Sequence, residues 1–223
     1  MKLTKRKLIQ LTQKQLSLLG YHYVVDTITT AQGLYLKRTS DSLFLSLGLT
    51  ISKYYDSMFT ASYYLSTTTN WAAVWGDIPN RSYVRIGHFL TQEEREFLLD
   101  KQQIEPGIRD AWWDANNIDN LDCFFNAVSI TESRFISQPN LTNDIIKSAE
   151  VIEMNELARR TMLIVGSDSH RNDICKFTPL KPVDNIAIDW FKAAEQAIVE
   201  MGSILNENTV KRVAADAYRR RIV

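Results

Sequence analysis

The stretch SLFLSLGLTIS, Ser42 to Ser52, sets how the chain is read. Leu43, Leu45, Leu47 and Leu49 alternate with Phe44, Ser46, Gly48 and Thr50, the period-two pattern of a strand with one face in a core. Runs of the same texture lie on either side: YHYVVDTIT and GLYLKRT before it, SMFTASYYLSTT after it. Short polar or glycine-containing stretches separate them, including Thr39-Ser40-Asp41-Ser42, and the four runs together predict an antiparallel meander. Further on, SYVRIGHFL predicts another short strand, while Gly76 and Pro79 mark WAAVWGDIPN as an irregular connection.

Helices are expected on both sides of this sheet. From Lys2 to Leu19, at about 100° per residue, Leu8, Leu11, Leu18 and Leu19 share one side and Lys2, Arg6, Lys7, Gln10, Gln13, Lys14 and Ser17 the other. Gly20 is placed to stop that helix, and laying it across the sheet buries both apolar faces. Thr91 opens TQEE, the form of a capping box, which predicts a helix from about Gln92 to Lys101 before Pro106 and Gly107. The stretch RDAWWDANNIDNLDCFFNAVSI fits neither period. Beyond Pro139, Ile145, Ala149 and Ile152 share a helical face that continues through Glu156, Leu157 and Ala158 toward Leu163-Ile164-Val165. Trp190, Ala194, Ala197 and Met201 mark a second helix ended by Gly202; Val210, Val213, Ala214, Ala217 and Tyr218 mark a third, capped by Asn206 or Asn208. The expected class is therefore α+β: an N-terminal helix packed on a four- to five-stranded antiparallel meander over residues 1–90, followed by an acidic connector and a mainly helical part over residues 91–223, packed as one compact unit with the first.

With 223 residues, 45% of them hydrophobic, the chain can bury one sizeable core or two small ones. Met1 opens onto charged residues without a signal-peptide core, and no window approaches the roughly 18 apolar residues that span a bilayer, so a cytoplasmic protein without membrane contact is expected. Cys123 and Cys175 lie far apart with no Cys-x-x-Cys spacing, which indicates neither a zinc knuckle nor a disulfide framework. The formal net charge of zero conceals a segregation: residues 1–90 carry +6, residues 91–160 carry −7 and residues 161–223 carry +1. An acidic middle third either meets the basic N-terminal third or steers association with a basic partner.

The catalytic signatures looked for are few. There is no Gly-x-Ser-x-Gly elbow, no Gly-x-Gly-x-x-Gly and no Gly-Lys-Ser/Thr, and no cofactor is expected. Gly166-Ser167-Asp168-Ser169-His170 resembles the Gly-Ser-Asp-x-His segment of metal-dependent phosphoesterases of the polymerase-and-histidinol-phosphatase type, in which an Asp and a His at a strand end bind metal. That resemblance implies a hydrolase centred on Asp168 and His170. The chain departs from the family pattern, because His22, His88 and His170 are its only histidines and no His-x-His pair exists, leaving at least three ligand positions without a counterpart. The bland alternative is a Ser-Asp-Ser turn after a helix. Asp114, Asp119 and Asp122 lack the neighbouring lysine expected of a nuclease cluster. Nucleic-acid binding would draw on Lys2, Lys5, Arg6, Lys7 and Lys14 with Arg219, Arg220 and Arg221, which also read as solvated helix faces.

The acidic segment carries paired aromatics. Glu93, Glu94, Asp110, Trp112, Trp113, Asp114 and Asp122 form the candidate partner-binding surface, aromatic anchors ringed by acids. Adjacent tryptophans normally place at least one ring inward, so a core role is the alternative for that pair. The layout of a leading helix ending in Gly20-Tyr21, then a Leu-, Tyr- and Thr-rich meander, then helices, resembles small cytoplasmic α+β bacterial immunity proteins over roughly the first 90 residues. The resemblance implies a non-enzymatic module that neutralises a cognate toxin, and a basic toxin would match the acidic segment. A metal-dependent hydrolase and a nucleic-acid binder remain the other classes.

Overall fold

The computed structural model describes residues 2–25, 31–41, 43–71, 83–100, 103, 110–139, 149–167 and 186–223. The protein is α+β. Strands β1 (His22–Val24), β2 (Gly33–Ser40), β3 (Leu43–Ile51), β4 (Met58–Ser66) and β5 (Tyr83–Arg85) follow one another in a fully antiparallel sheet, and β6 (Trp113–Asp114) pairs with the start of β4. The four main runs become β1 to β4 in order, because β-branched and aromatic residues fit a pleated, buried surface. Thr39 Oγ1 donates to the Leu43 carbonyl (3.1 Å) at the first tight turn, and Ser52 Oγ accepts from the amides of Tyr54 and Tyr55 (3.1 Å each) at the second.

Register carries the leucine alternation straight into the core: Leu45, Leu47 and Leu49 pair with Leu65, Tyr63 and Ala61. The opposite face, expected to meet solvent, is buried as well. Phe44, Ser46 and Gly48 are all inaccessible, and the ring of Trp71 lies on Gly48 so closely that a Cβ there would sit 2.4 Å from it. Glycine stands in the middle of a strand because an indole covers it.

Helix α1 (Lys5–Leu18) starts at Thr4, whose hydroxyl accepts from the Lys7 amide (3.2 Å), and ends at Gly20 with φ +85°. Its buried stripe is Leu8, Thr12 and Leu16, while Leu18 is 75% exposed, so the expected leucine face is rotated. The cause is Thr12, whose hydroxyl donates to the Leu8 carbonyl (2.8 Å) and lies 2.7 Å from Tyr35 Oη. A satisfied hydroxyl occupies a core position that apolar periodicity leaves blank.

Helix α2 (Gln92–Leu98) has the capping box read from TQEE. The stretch that fits neither period contains β6 and helix α3 (Ile118–Ile136), whose Asn117 cap accepts from the Asp119 amide (2.9 Å). Leu121, Phe124, Val128, Thr131 and Phe135 repeat at helical spacing along its buried side. Phe124 packs edge-on against Phe59 (5.0 Å), and Phe135 stacks on Tyr63 (5.2 Å). One core therefore runs from Leu3 to Phe135 and takes in α1, α2, α3 and one face of the sheet. Burial of Tyr35 there pushes its pKa up to about 12.

A second core joins α4 (Ala149–Ser167), α5 (Ile188–Glu200) and α6 (Glu207–Arg219), with Gly202 (φ +70°) and the Asn206 cap where expected. Leu157 and Ala158 face this core, whereas Ile152 is exposed. Of the three C-terminal arginines only Arg221 is exposed; Arg219 and Arg220 are turned inward. Fully buried Asp216 accepts from the Thr69 amide (2.7 Å), the Thr69 hydroxyl (2.8 Å) and Arg220 Nη2 (2.9 Å). Arg220 Nη2 also donates to the Thr67 carbonyl (2.8 Å) and Asn155 Oδ1 (2.5 Å), while buried Arg219 reaches the carbonyls of Thr69 and Val25. Phe44 lies between Arg38 and Arg220, whose guanidinium carbons are 5.1 and 5.3 Å from its ring centre.

This network ties the helical core to the far side of the sheet. Asp216→Ala, which leaves the two arginines without their carboxylate, is expected to lower unfolding free energy by about 3–5 kcal/mol; a loss below about 1 kcal/mol in urea denaturation would show that it holds nothing together. Gly48→Ala is expected to cost about 1–3 kcal/mol by overpacking, with the loss reduced when Trp71→Leu is combined with it.

Candidate functional site

The strand at β6 separates the two tryptophans. Alternation along an extended segment sends neighbours to opposite sides, so Trp113 enters the core, fully buried between Phe59 (6.4 Å) and Phe124 (5.3 Å), and is withdrawn from any partner. Trp112 stays half-exposed under the guanidinium of Arg85, 5.4 Å from its ring centre. Asp110 forms an ion pair with Arg85 and accepts from Trp112 Nε1 (3.2 Å). The side chain of Gln103 brackets the Trp112 backbone, donating to its carbonyl and accepting from its amide at 2.7 Å each. Asp114 accepts from the Asn116 amide (2.8 Å), shaping the turn into α3.

Beneath this loop lies a group that sequence reasoning passed over. Arg95, buried on α2, donates to the carbonyls of Gly87 (3.0 Å), Gln103 (3.1 Å) and Asp110 (2.7 Å). Its burial lowers its pKa, which the nearby Asp110 charge opposes. Asp110, Trp112 and Asp114 are thus engaged in building the loop that α2 and α3 enclose.

The remaining acids lie on the outer surface of those helices. Glu94 is held by Arg134 through two hydrogen bonds of 2.6 Å, and those bonds draw its carboxyl down to about 2. Glu93 and Asp122 are exposed, as are Asp100 and Asp119, and none of these four makes an ion pair among the described residues. Asp119, Asp122 and Asp100 converge near Cys123, whose thiol is pushed up first by burial and then by their fields. The apolar anchor of this surface is Phe97, 79% exposed on α2. A groove of about 360 Å³ between α2 and α3 runs past it, lined by Glu93, Glu94, Leu98, Asn126, Ser129 and Ile130. A second groove of about 430 Å³ lies on the other side of α3, where exposed Leu18 and half-buried Phe125 meet Asp122. Asn126 and Ser129 belong to both, so one surface spans α1, α2 and α3.

The other candidate chemistries fare differently. Asp168, Ser169 and His170 lie outside the described residues; α4 runs through Ser167, so the chain reaches them from a helix and not from a strand end. Among the described residues no group of three or more His, Cys, Asp or Glu could hold a metal ion, and no helix is long and apolar enough to cross a membrane. Comparisons with family models, curated proteins and solved structures found no match for the chain.

Because the folded carboxyl of Glu94 titrates below its unfolded value of about 4.3, its stabilisation is complete above that pH and lost as pH falls toward about 2. Arg134 is 40% exposed, so solvent screening holds the contribution to about 1 kcal/mol. Glu94→Gln keeps the capping geometry and is expected to remove about that much of the stability loss between about pH 5 and 2. Identical acid profiles in urea titrations of the two proteins would refute this assignment.

Proposed function

We propose that the chain is a non-enzymatic protein-binding module of the bacterial immunity type, acting in the cytoplasm to neutralise a cognate basic toxin. The observation that carries this reading is the surface of α2 and α3, where Glu93, Asp100, Asp119 and Asp122 are exposed without cationic partners among the described residues and the exposed ring of Phe97 lies beside Glu93 in one groove. The field of such an arrangement steers encounter with a basic partner before contact. An aromatic side chain within a charged rim is also the composition of an interface hot spot. The same field repels phosphates. Nucleic-acid contact is further disfavoured because Arg219 and Arg220 are committed to internal carbonyls and to Asp216.

The test is capture of the tagged full-length chain from its native cells, followed by purification and activity assay of whatever protein is recovered at equal stoichiometry. The expected partner is basic and loses its activity when the chain is added. Joint replacement of Glu93 and of Asp100, Asp119 and Asp122 by Gln and Asn is expected to slow association about tenfold or more at low salt, with a smaller effect at high salt. A partner that keeps its activity in the complex, or that binds the variant at an unchanged rate, would overturn the reading.

A further inference from the structure

We infer that the groove between α2 and α3 seats a basic amphipathic helix of the partner, with Phe97 packed against its apolar stripe. The inference rests on the protein-binding reading above and specifies the shape of what binds.

The groove has the parts that a docked helix requires. Its floor is apolar, built from buried Leu98 and half-buried Ile130, and Phe97 stands along one wall with most of its ring in water. The opposite wall is the α3 ridge at Asn126 and Ser129, short side chains that let a second helix approach closely. Exposed acids flank the groove: Glu93 in its lining, Glu96 beside Phe97 on α2, and Asp122 one turn before Asn126 on the α3 ridge that the two grooves share. Arg134, the cation described at this rim, is already engaged by Glu94 and leaves the other acids uncompensated. A helix with leucine-like residues at i, i+3, i+4 and i+7 and lysines flanking that stripe matches both floor and rim.

An extended peptide matches less well, since strand addition needs unpaired backbone groups and this face consists of helices. A second copy of the chain offers no such helix in α1, the basic one, because its apolar stripe already lies on the sheet through Leu8 and Leu16.

The test titrates the isotopically labelled full chain with two synthetic probes of equal charge: a Leu/Lys helix of about four turns and an oligolysine. The helix is expected to bind at least about tenfold more tightly, to shift the amides of Phe97, Leu98, Asn126, Ser129 and Ile130, and to lose that advantage with Phe97→Ala or Phe97→Gln. Unchanged thermal unfolding of these variants, expected for so exposed a side chain, separates lost contact from lost fold. Equal affinity for the two probes would overturn the groove inference while leaving the acidic surface a binder of basic proteins. Failure of both to bind would overturn both readings. Self-association of the chain that Phe97→Ala abolishes would overturn the inference in favour of a second copy as occupant.

Discussion

Strand β3 has no solvent face: Leu45, Leu47 and Leu49 on one side, and Phe44, Ser46 and Gly48 on the other, are all inaccessible, and the remaining architecture follows from covering both. A strand buried on both faces from Leu43 to Leu49 requires two separate layers. One is supplied by α1, α2 and α3; the other by Trp71 on Gly48 and by the C-terminal residues around Phe44.

The two layers are held in different ways. On the leucine side the contact is apolar and aromatic, with a few internal hydroxyl bonds such as Thr12 with Tyr35 and Tyr63 with the Val128 carbonyl (2.9 Å). On the far side an apolar cluster of Leu34, Leu36 and Trp71 is joined by buried polar and charged groups, and a buried carboxylate is tolerable there only because Thr69 and Arg220 satisfy it. Removing charge from one partner is therefore more damaging than the small number of bonds suggests.

This arrangement leaves the outer sides of α2 and α3 free of structural duty. Arg95 and Asp110 fix the loop from within, and Arg134 neutralises Glu94 at the edge. What remains outside is the exposed phenyl ring of Phe97 and a set of exposed acids without ion-pair partners among the described residues. The residues placed there differ from those the local pattern favours: Trp113 belongs to the core, Asp110 and Asp114 to the loop, and Phe97, Asp100 and Asp119 to the surface.

Local pattern is sufficient for the meander, the capping box at Thr91, and the last two helices with their stops at Gly202 and cap at Asn206, because each depends on spacing and turn chemistry within a few residues. It is insufficient where a polar residue takes a core position. Thr12 and Thr131 interrupt the apolar stripes of α1 and α3, and their hydroxyls find partners in helix carbonyls and in tyrosines more than 20 residues away. The same holds for Asp216, Arg219 and Arg220, which look like surface charge until Thr67 and Thr69 are brought beside them. Which segments become strands and helices thus follows from chemistry between near neighbours in the chain. Which charges are buried and which stay outside is settled only in the assembled fold, because a buried charge is permitted by partners that are distant along the chain.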